Sequence, residues 1–246
     1  MFKFSANTGF LWRDRPFLER IRLAAKHGFD GVEFHDEAQD TNLSELQDVL
    51  AKTGLPVISL NTRKGGTFGC AAIPSEAAQA RREIDEAIRI AEAIHARNIH
   101  VLAGCCVEDQ SSVNAFVSNL KYALEQTNAN ILIEPISPKA VGGYFLSNLK
   151  LTKLILKATD NPRLKIMFDL FHVKELSTRG LYDEFAELQE HVGHIQVSSY
   201  PGRNEPIDQI ALLKKFHRNG YSSWLGCEFV PKTTVEAGLH WRDHLR

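Results

Sequence analysis

Carboxylates and carboxamides recur at one kind of place in this chain, the end of a short apolar run. Glu134 closes the run 131–134, Asp169 closes 164–169, Gln196 stands in 194–197 and Glu228 closes 224–228. Asn7, Glu33 and Asn61 stand at or just past the ends of three earlier runs. Three carboxylates gathered in one cavity repel strongly when all are ionised, so they need raised pKa values or a cation among them. Oxygen donors alone suit a hard divalent ion, Mg²⁺ or Mn²⁺, and Gln196 adds a neutral oxygen to Glu134, Asp169 and Glu228. Each carboxylate taken singly could as well pair with an arginine or lysine. Four polar ends on successive runs favour the cation.

Other polar residues cluster around these ends. His172 follows Asp169 by three positions and is expected beside the metal, as a contact for substrate oxygen or an extra ligand. His35 follows Glu33 by two and shares its face, so it is expected to line the pocket. His100 and His194 lie deeper in their runs and read as hydrogen-bonded core histidines. Arg203, in the loop 200–206, has the forked guanidinium that matches a carboxylate, and reads as a clamp for an anionic substrate that is not itself a metal ligand. Arg63 and Lys64, beside Gly65-Gly66, are its rivals for that role. Phe10, Trp12 and Phe68 could supply a hydrophobic cover.

The elements that must position these groups follow from periodicity. Eight short runs, at 2–6, 31–34, 56–60, 98–102, 131–134, 164–169, 194–197 and 224–228, are rich in Val, Ile, Leu or Phe and follow turn or helix-stop signals such as Gly28, Gly54, Pro162 and Gly220. Between them apolar residues recur at helical spacing, as in Phe17, Ile21, Ala24 and Ala25, or Ile84, Ala87, Ile88 and Ala91. One βα unit per step, eight times over, predicts an α/β fold, a single (β/α)₈ TIM barrel spanning 1–246 as one domain. A doubly wound open sheet would want a glycine-rich phosphate loop after the first strand, and Asn7-Thr8-Gly9-Phe10 is not one. Alternation sharpens the prediction. If Glu134, Asp169, Gln196 and Glu228 point inward, so do Leu132, Met167, His194 and Gly226, and the helix-facing residues between them are apolar. Asn7 with Ser5, Glu33 with Gly31, and Asn61 with Ser59 behave alike. Active sites of such barrels lie at the carboxyl ends of the strands.

Composition sets bounds on partners. The 246 residues carry a formal net charge of −1 with 43% hydrophobic residues. That argues against a disordered chain and against a nucleic-acid partner, since no basic excess exists to neutralise phosphate. No apolar run approaches the roughly 18–20 residues that cross a membrane, and the first residues do not read as a secretory signal. Cys70, Cys105, Cys106 and Cys227 form no C-x-x-C pair, which suits a reduced, cytoplasmic protein. Trp241 either anchors a homo-oligomer or packs on the barrel's own helices.

Several stretches are similar to known motifs. Ile133-Glu134-Pro135, Phe168-Asp169-Leu170-Phe171-His172, His194-Ile195-Gln196 and Arg203-Asn204-Glu205-Pro206 resemble the xylose isomerase-like superfamily of sugar isomerases and epimerases. Trp224-Leu225-Gly226-Cys227-Glu228-Phe229, Pro231-Lys232-Thr233-Thr234 and Glu236-Ala237-Gly238-Leu239 resemble the hydroxypyruvate isomerase family, as do the opening 2–7 and Gly31-Val32-Glu33-Phe34. The resemblance implies metal ligands Glu134, Asp169, Gln196 and Glu228, with Glu134 and Glu228 doubling as the acid/base pair. It implies a metal-dependent isomerase acting on a small 2-oxo acid or sugar. The favoured reaction interconverts hydroxypyruvate and 2-hydroxy-3-oxopropanoate (tartronate semialdehyde) through an enediolate. A 2-oxo-tetronate isomerase and a ketose 3-epimerase are the alternatives that keep the same chemistry. An abasic-site endonuclease and a non-catalytic sugar-binding barrel are alternatives of other classes. The loop Asn61-Thr62-Arg63-Lys64-Gly65-Gly66 departs from the family pattern where the distal end of the substrate is expected.

Overall fold

The structure, a computed structural model, describes residues 2–246. Eight parallel strands close into a barrel in sequence order: β1 (Lys3–Asn7), β2 (Gly31–Glu33), β3 (Val57–Asn61), β4 (Asn98–His100), β5 (Asn130–Ile133), β6 (Leu164–Asp169), β7 (Val192–Val197) and β8 (Trp224–Cys227). Helices α1 (Phe17–Lys26), α2 (Leu43–Thr53), α3 (Ala77–Ala93), α4 (Gln110–Gln126) and α5 (Leu149–Thr159) follow β1 to β5 in turn. Two helices, α6 (Leu170–Leu176) and α7 (Leu181–Leu188), follow β6, and α8 (Ile210–Arg218) follows β7. After β8 the chain forms only the short 3₁₀ turns Glu236–Gly238 and His240–His244. Trp241 lies in the second of these. It is buried, edge-on to Phe4 at 5.4 Å and Phe229 at 6.4 Å, so it packs on its own barrel and is not an exposed anchor for a second copy.

The expected alternation holds along the strands. Phe4, Ala6, Ile131, Ile133, Ile166, Phe168, Ile195, Val197, Leu225 and Cys227 face the helices with no exposed surface. Phe168 meets Phe185 of α7 and Phe216 of α8, and those two rings stack at 4.0 Å. The helix ends follow local chemistry. Asn42 and Asn148 cap α2 and α5 with side-chain oxygens, and Gly54 ends α2 at φ 68°, a conformation open to glycine at little cost.

Strand register, which periodicity cannot supply, sets the height of each inward group. Asn7 pairs with Glu33, Glu33 with Ser59, and Ser59 with Asn98. One inward step higher, Asn61 pairs with His100. Asn7 and Glu33 therefore occupy a layer below Asn61 and His100. The strand β4 is also shorter than the run 98–102. Leu102 turns its N–H to the Thr62 hydroxyl, so His100 stands at the strand's end rather than inside it.

Candidate active site

A cavity of about 350 Å³ opens at the carboxyl ends of the strands, a size at the lower end of the roughly 300–1,000 Å³ usual for small-molecule sites. Glu134, Gln196, Glu228, His172, Arg203, His35 and Asn61 line it, with Phe10 and Phe68 over the mouth. Asp169 lies against it, 1% exposed, with Oδ2 at 2.8 Å from Arg203 and 3.6 Å from His172. Asn7 and Glu33 are not on the wall but beneath it, as their register requires.

Asp169 shows how the fold aims a carboxylate. It ends β6 and is the N-cap of α6, where Oδ1 accepts the Phe171 N–H at 2.8 Å. One oxygen is thereby tied to the helix start and the other is left to the cavity.

The acidic groups are unequal. Glu134 is buried, and the ring nitrogens His100 Nδ1 at 3.8 Å and His172 Nε2 at 3.9 Å both lie beyond hydrogen-bond distance. Burial, with Glu228 and Asp169 nearby, pushes its pKa well above the usual carboxylate range. Asp169 is raised too, by burial above all, although Arg203 opposes it. Burial also works against ionised Glu228. There the Arg203 guanidinium and the His35 ring, 3.2 Å away, prevail and hold the pKa low.

Beneath the cavity a closed polar network holds Gln196. Glu33 accepts from Ser5 Oγ at 2.6 Å, Asn7 Nδ2 at 3.0 Å and Gln196 Nε2 at 2.9 Å, and meets His194 Nε2 at 2.7 Å. Burial alone would raise the Glu33 pKa, but His194 and these bonds outweigh it and lower it. Because Gln196 gives its amide nitrogen to Glu33, its Oε1 is left buried with no partner among the described residues. An idle amide oxygen beside an unbonded carboxylate fits a cation held by oxygen donors. Ligand atoms of Glu134, Asp169 and His172 already lie within 4.8 Å of one another.

His172 stands beside Glu134 and Asp169, where it can contact substrate or serve as a further ligand. Burial lowers its pKa to about 3, so the ring is neutral and has one accepting nitrogen. Nδ1 receives the Ser137 backbone N–H at 3.3 Å, while Nε2 faces Arg203 Nη1 at 3.2 Å. One lone pair cannot serve both donors. Arg203 and the Ser137 N–H can both only donate, so the neutral ring accepts from one of them and the other contact is not a hydrogen bond.

Arg203 is gripped on all sides. Its backbone is left-handed (φ 52°) and pinned through Ser199 and Val230. Its guanidinium lies between the Phe10 and Phe171 rings at 4.7 and 4.9 Å. Nη2 donates to Asp169 and to Glu228, each at 2.8 Å. Arg203 therefore bonds two of the four candidate metal ligands. Its Nε remains buried without a partner among the described residues.

Three other expectations are corrected. Arg63 is not free for substrate: Nε and Nη2 bond Glu86, and Nη1 bonds Asp40, whereas Lys64 lines the cavity. Trp12 does not cover the cavity but donates to Glu236 at 2.7 Å and stacks on His27. His100 is not a satisfied core histidine. It lies on the cavity wall, and neither ring nitrogen has a partner among the described residues. Its position at the last residue of a three-residue strand was the missing signal.

A closed eight-stranded parallel barrel with an acidic cavity at its carboxyl end defines the class, and the chain belongs to the xylose isomerase-like TIM barrel family, matched over residues 21–245. Relatives that cover nearly the whole chain at 30% identity or more are named as isomerases. It is 34% identical to the hydroxypyruvate isomerase of Escherichia coli K12 over 100% of both chains. It is 32% identical to the 2-oxo-tetronate isomerase of Pectobacterium atrosepticum, over 98% of this chain and 97% of that one. A crystal structure from Brucella melitensis, described as an AP endonuclease of family 2, superposes with a TM-score of 0.94 at 28% identity over 100% of both chains. The chain is accordingly an enzyme of an isomerase-like kind. No helix among the described residues is long and apolar enough to cross a membrane.

Proposed function

We propose that this protein is a divalent-metal-dependent isomerase of the aldose–ketose type, interconverting hydroxypyruvate and 2-hydroxy-3-oxopropanoate. The observation that carries this reading is the Glu134 carboxylate, buried without a hydrogen bond beside Asp169, Glu228 and the idle Gln196 oxygen. Similarity to the Escherichia coli hydroxypyruvate isomerase supports the substrate. Glu134, Asp169, Gln196 and Glu228 would hold Mg²⁺ or Mn²⁺. Bound there, the ion would draw charge from neighbouring carbonyl and hydroxyl oxygens and make the C–H between them more acidic.

The remaining steps belong to side chains. One glutamate takes a proton from C3 of hydroxypyruvate, leaving an enediolate, and a proton returns at C2 while the hydroxyl proton on O3 passes to O2. Glu134 follows β5 and Glu228 follows β8, so the two acids reach the substrate from different sectors of the ring. Arg203 binds the substrate carboxylate, with its unpartnered Nε–H still to be used. His172 lines the cavity beside Arg203 and contacts a substrate oxygen. His35 orients Glu228, and Asn61 adds a polar group to the wall. Asn7 and Glu33 act through Gln196. Phe10 and Phe68 keep water from the reacting atoms.

A coupled assay on a panel of hydroxypyruvate, 2-oxo-tetronate and free ketoses, with the enzyme loaded with Mg²⁺ or Mn²⁺, tests the reading. The highest kcat/KM is expected on hydroxypyruvate, and no turnover of it would refute the assignment. The second reading, a 2-oxo-tetronate isomerase, is favoured by the Pectobacterium relative and by exposed Lys64 at the cavity rim, which could meet a longer substrate. A nuclease, as the Brucella description would suggest, sits badly with a net charge of −1, which leaves no basic excess to track phosphates. The four cysteines are free, in keeping with a reducing, cytoplasmic compartment.

A further inference from the structure

His100 is 1% exposed, yet it forms part of the cavity wall. Neither Nδ1 nor Nε2 has a hydrogen-bond partner among the described residues. The nearest carboxylate oxygen, Oε2 of Glu134, is 3.8 Å from Nδ1. The other barrel-top histidines are engaged: His35 meets Glu228, His172 meets Ser137, and His194 meets Glu33. A buried imidazole with both polar atoms idle lowers stability, and an apolar side chain would fill the same space without that cost. The place of the ring suggests what its polar atoms serve. His100 sits between Asn61 on β3 and Leu132 on β5, in the register. Arg203 follows β7 and bonds Asp169 on β6 and Glu228 on β8, so it holds that side of the ring, and β4 lies across the cavity from Glu228. A short acid held by its carboxylate at Arg203 would reach across the cavity toward the ends of β3 and β4.

We propose that His100 is a substrate-binding residue whose ring N–H donates to the oxygen at the end of the substrate remote from its carboxylate. This rests on the reading of the cavity as the site of a small hydroxy- or oxo-acid. The His100 ring N–H, buried and without a partner among the described residues, meets a hydroxyl or carbonyl oxygen as a donor. It gives the protein a means of measuring chain length, because only an acid with an oxygen at the right distance from the carboxylate satisfies both ends.

Two inert acids test it apart from turnover. 3-Hydroxypropanoate carries a carboxylate and a terminal hydroxyl but has no carbonyl to isomerise, and propanoate lacks the hydroxyl. Calorimetric titration of the Mn²⁺-loaded protein should show wild type binding 3-hydroxypropanoate about tenfold more tightly than propanoate, the size of one hydrogen bond. His100→Leu should bind the two acids equally, keep its Mn²⁺ affinity within about twofold, and melt no lower than wild type, since an idle polar group has been removed. A preference that survives His100→Leu, or no preference in wild type, overturns the proposal. So does a lowered melting temperature with the preference intact, which marks a structural histidine. If His100→Leu does not fold, His100→Asn, with its shorter reach, must lose the preference instead. Wild type that shows the preference but does not turn over hydroxypyruvate would refute the isomerase assignment and leave His100 in its role.

Discussion

Gln196 donates its amide N–H to Glu33 at 2.9 Å, and that one bond decides which end of the amide is left to the cavity. Glu33 is a carboxylate held ionised by its neighbours and can only accept, so the nitrogen must face it and the oxygen must turn away. A residue one layer down thus orients a candidate ligand above it.

Gln196→Leu removes that oxygen and leaves Glu33 short of a donor. Mn²⁺ affinity of the purified protein, measured by calorimetric titration, should fall by roughly 10–100-fold, the usual effect of disturbing a ligand or its support. Unchanged affinity would exclude the amide oxygen from the site.

Glu33 should also mark the acid limit of stability. Its folded pKa lies below the ordinary 4.5, so near and below that pH the unfolded chain binds the proton first and stability falls as pH falls. Glu33→Gln should be less stable than wild type at pH 7, and the gap should narrow as pH drops below about 4.5. Denaturant titrations of both proteins across this range check the sign. A gap that widens toward low pH would contradict it.

Gly226 faces inward on β8, where an added Cβ would lie 2.5 Å from Glu33 Oε2 and 2.6 Å from His194 Nε2. Those atoms are fixed by the network and cannot retreat without breaking it. Gly226→Ala should cost about 1–3 kcal/mol in the folding equilibrium, the range for overpacking. Retention of full stability would mean that the network is looser than its bond lengths imply.

Arg203 and Arg63 separate cleanly. Arg203→Lys loses the Nη2 group that bonds Asp169 and Glu228 together with the Nε donor, and kcat/KM on hydroxypyruvate should fall by about ten- to a hundredfold. Arg63→Ala breaks bonds to Glu86 and Asp40 away from the cavity and should change kcat/KM by less than about twofold. Steady-state kinetics on both variants decide between them, and the opposite ranking would move the anion site to the loop after β3.

Much of this arrangement could be read in the chain because a strand's two faces alternate. Ile131, Leu132, Ile133 and Glu134 declare by type alone which side meets helices and which meets the barrel. The strand ends came with it, and so did the convergence of Glu134, Gln196, Glu228, His172 and Arg203 on one cavity. Alternation says nothing of height. Asn7 and Glu33 looked equivalent to Asn61, but register sets them one layer lower. Pairing across the fold is equally silent in sequence. Arg63 and Lys64 are adjacent, yet Glu86, brought close by α3, takes the first and leaves the second at the rim. His100 was misjudged because an apolar run longer than its strand hid the strand's end.

Proton transfer at C3 and C2 through two carboxylates is the central step of the proposed reaction. Hydroxypyruvate incubated in D₂O with the Mn²⁺- or Mg²⁺-loaded enzyme, followed by NMR after removal of the metal, reads this directly. Deuterium should appear at C2 of 2-hydroxy-3-oxopropanoate in wild type, and both isomerisation and exchange should fall at least a hundredfold in Glu134→Gln and in Glu228→Gln, the scale of a lost general acid or base, about 10²–10⁴. Near wild-type turnover in either variant with metal bound would contradict the two-carboxylate scheme.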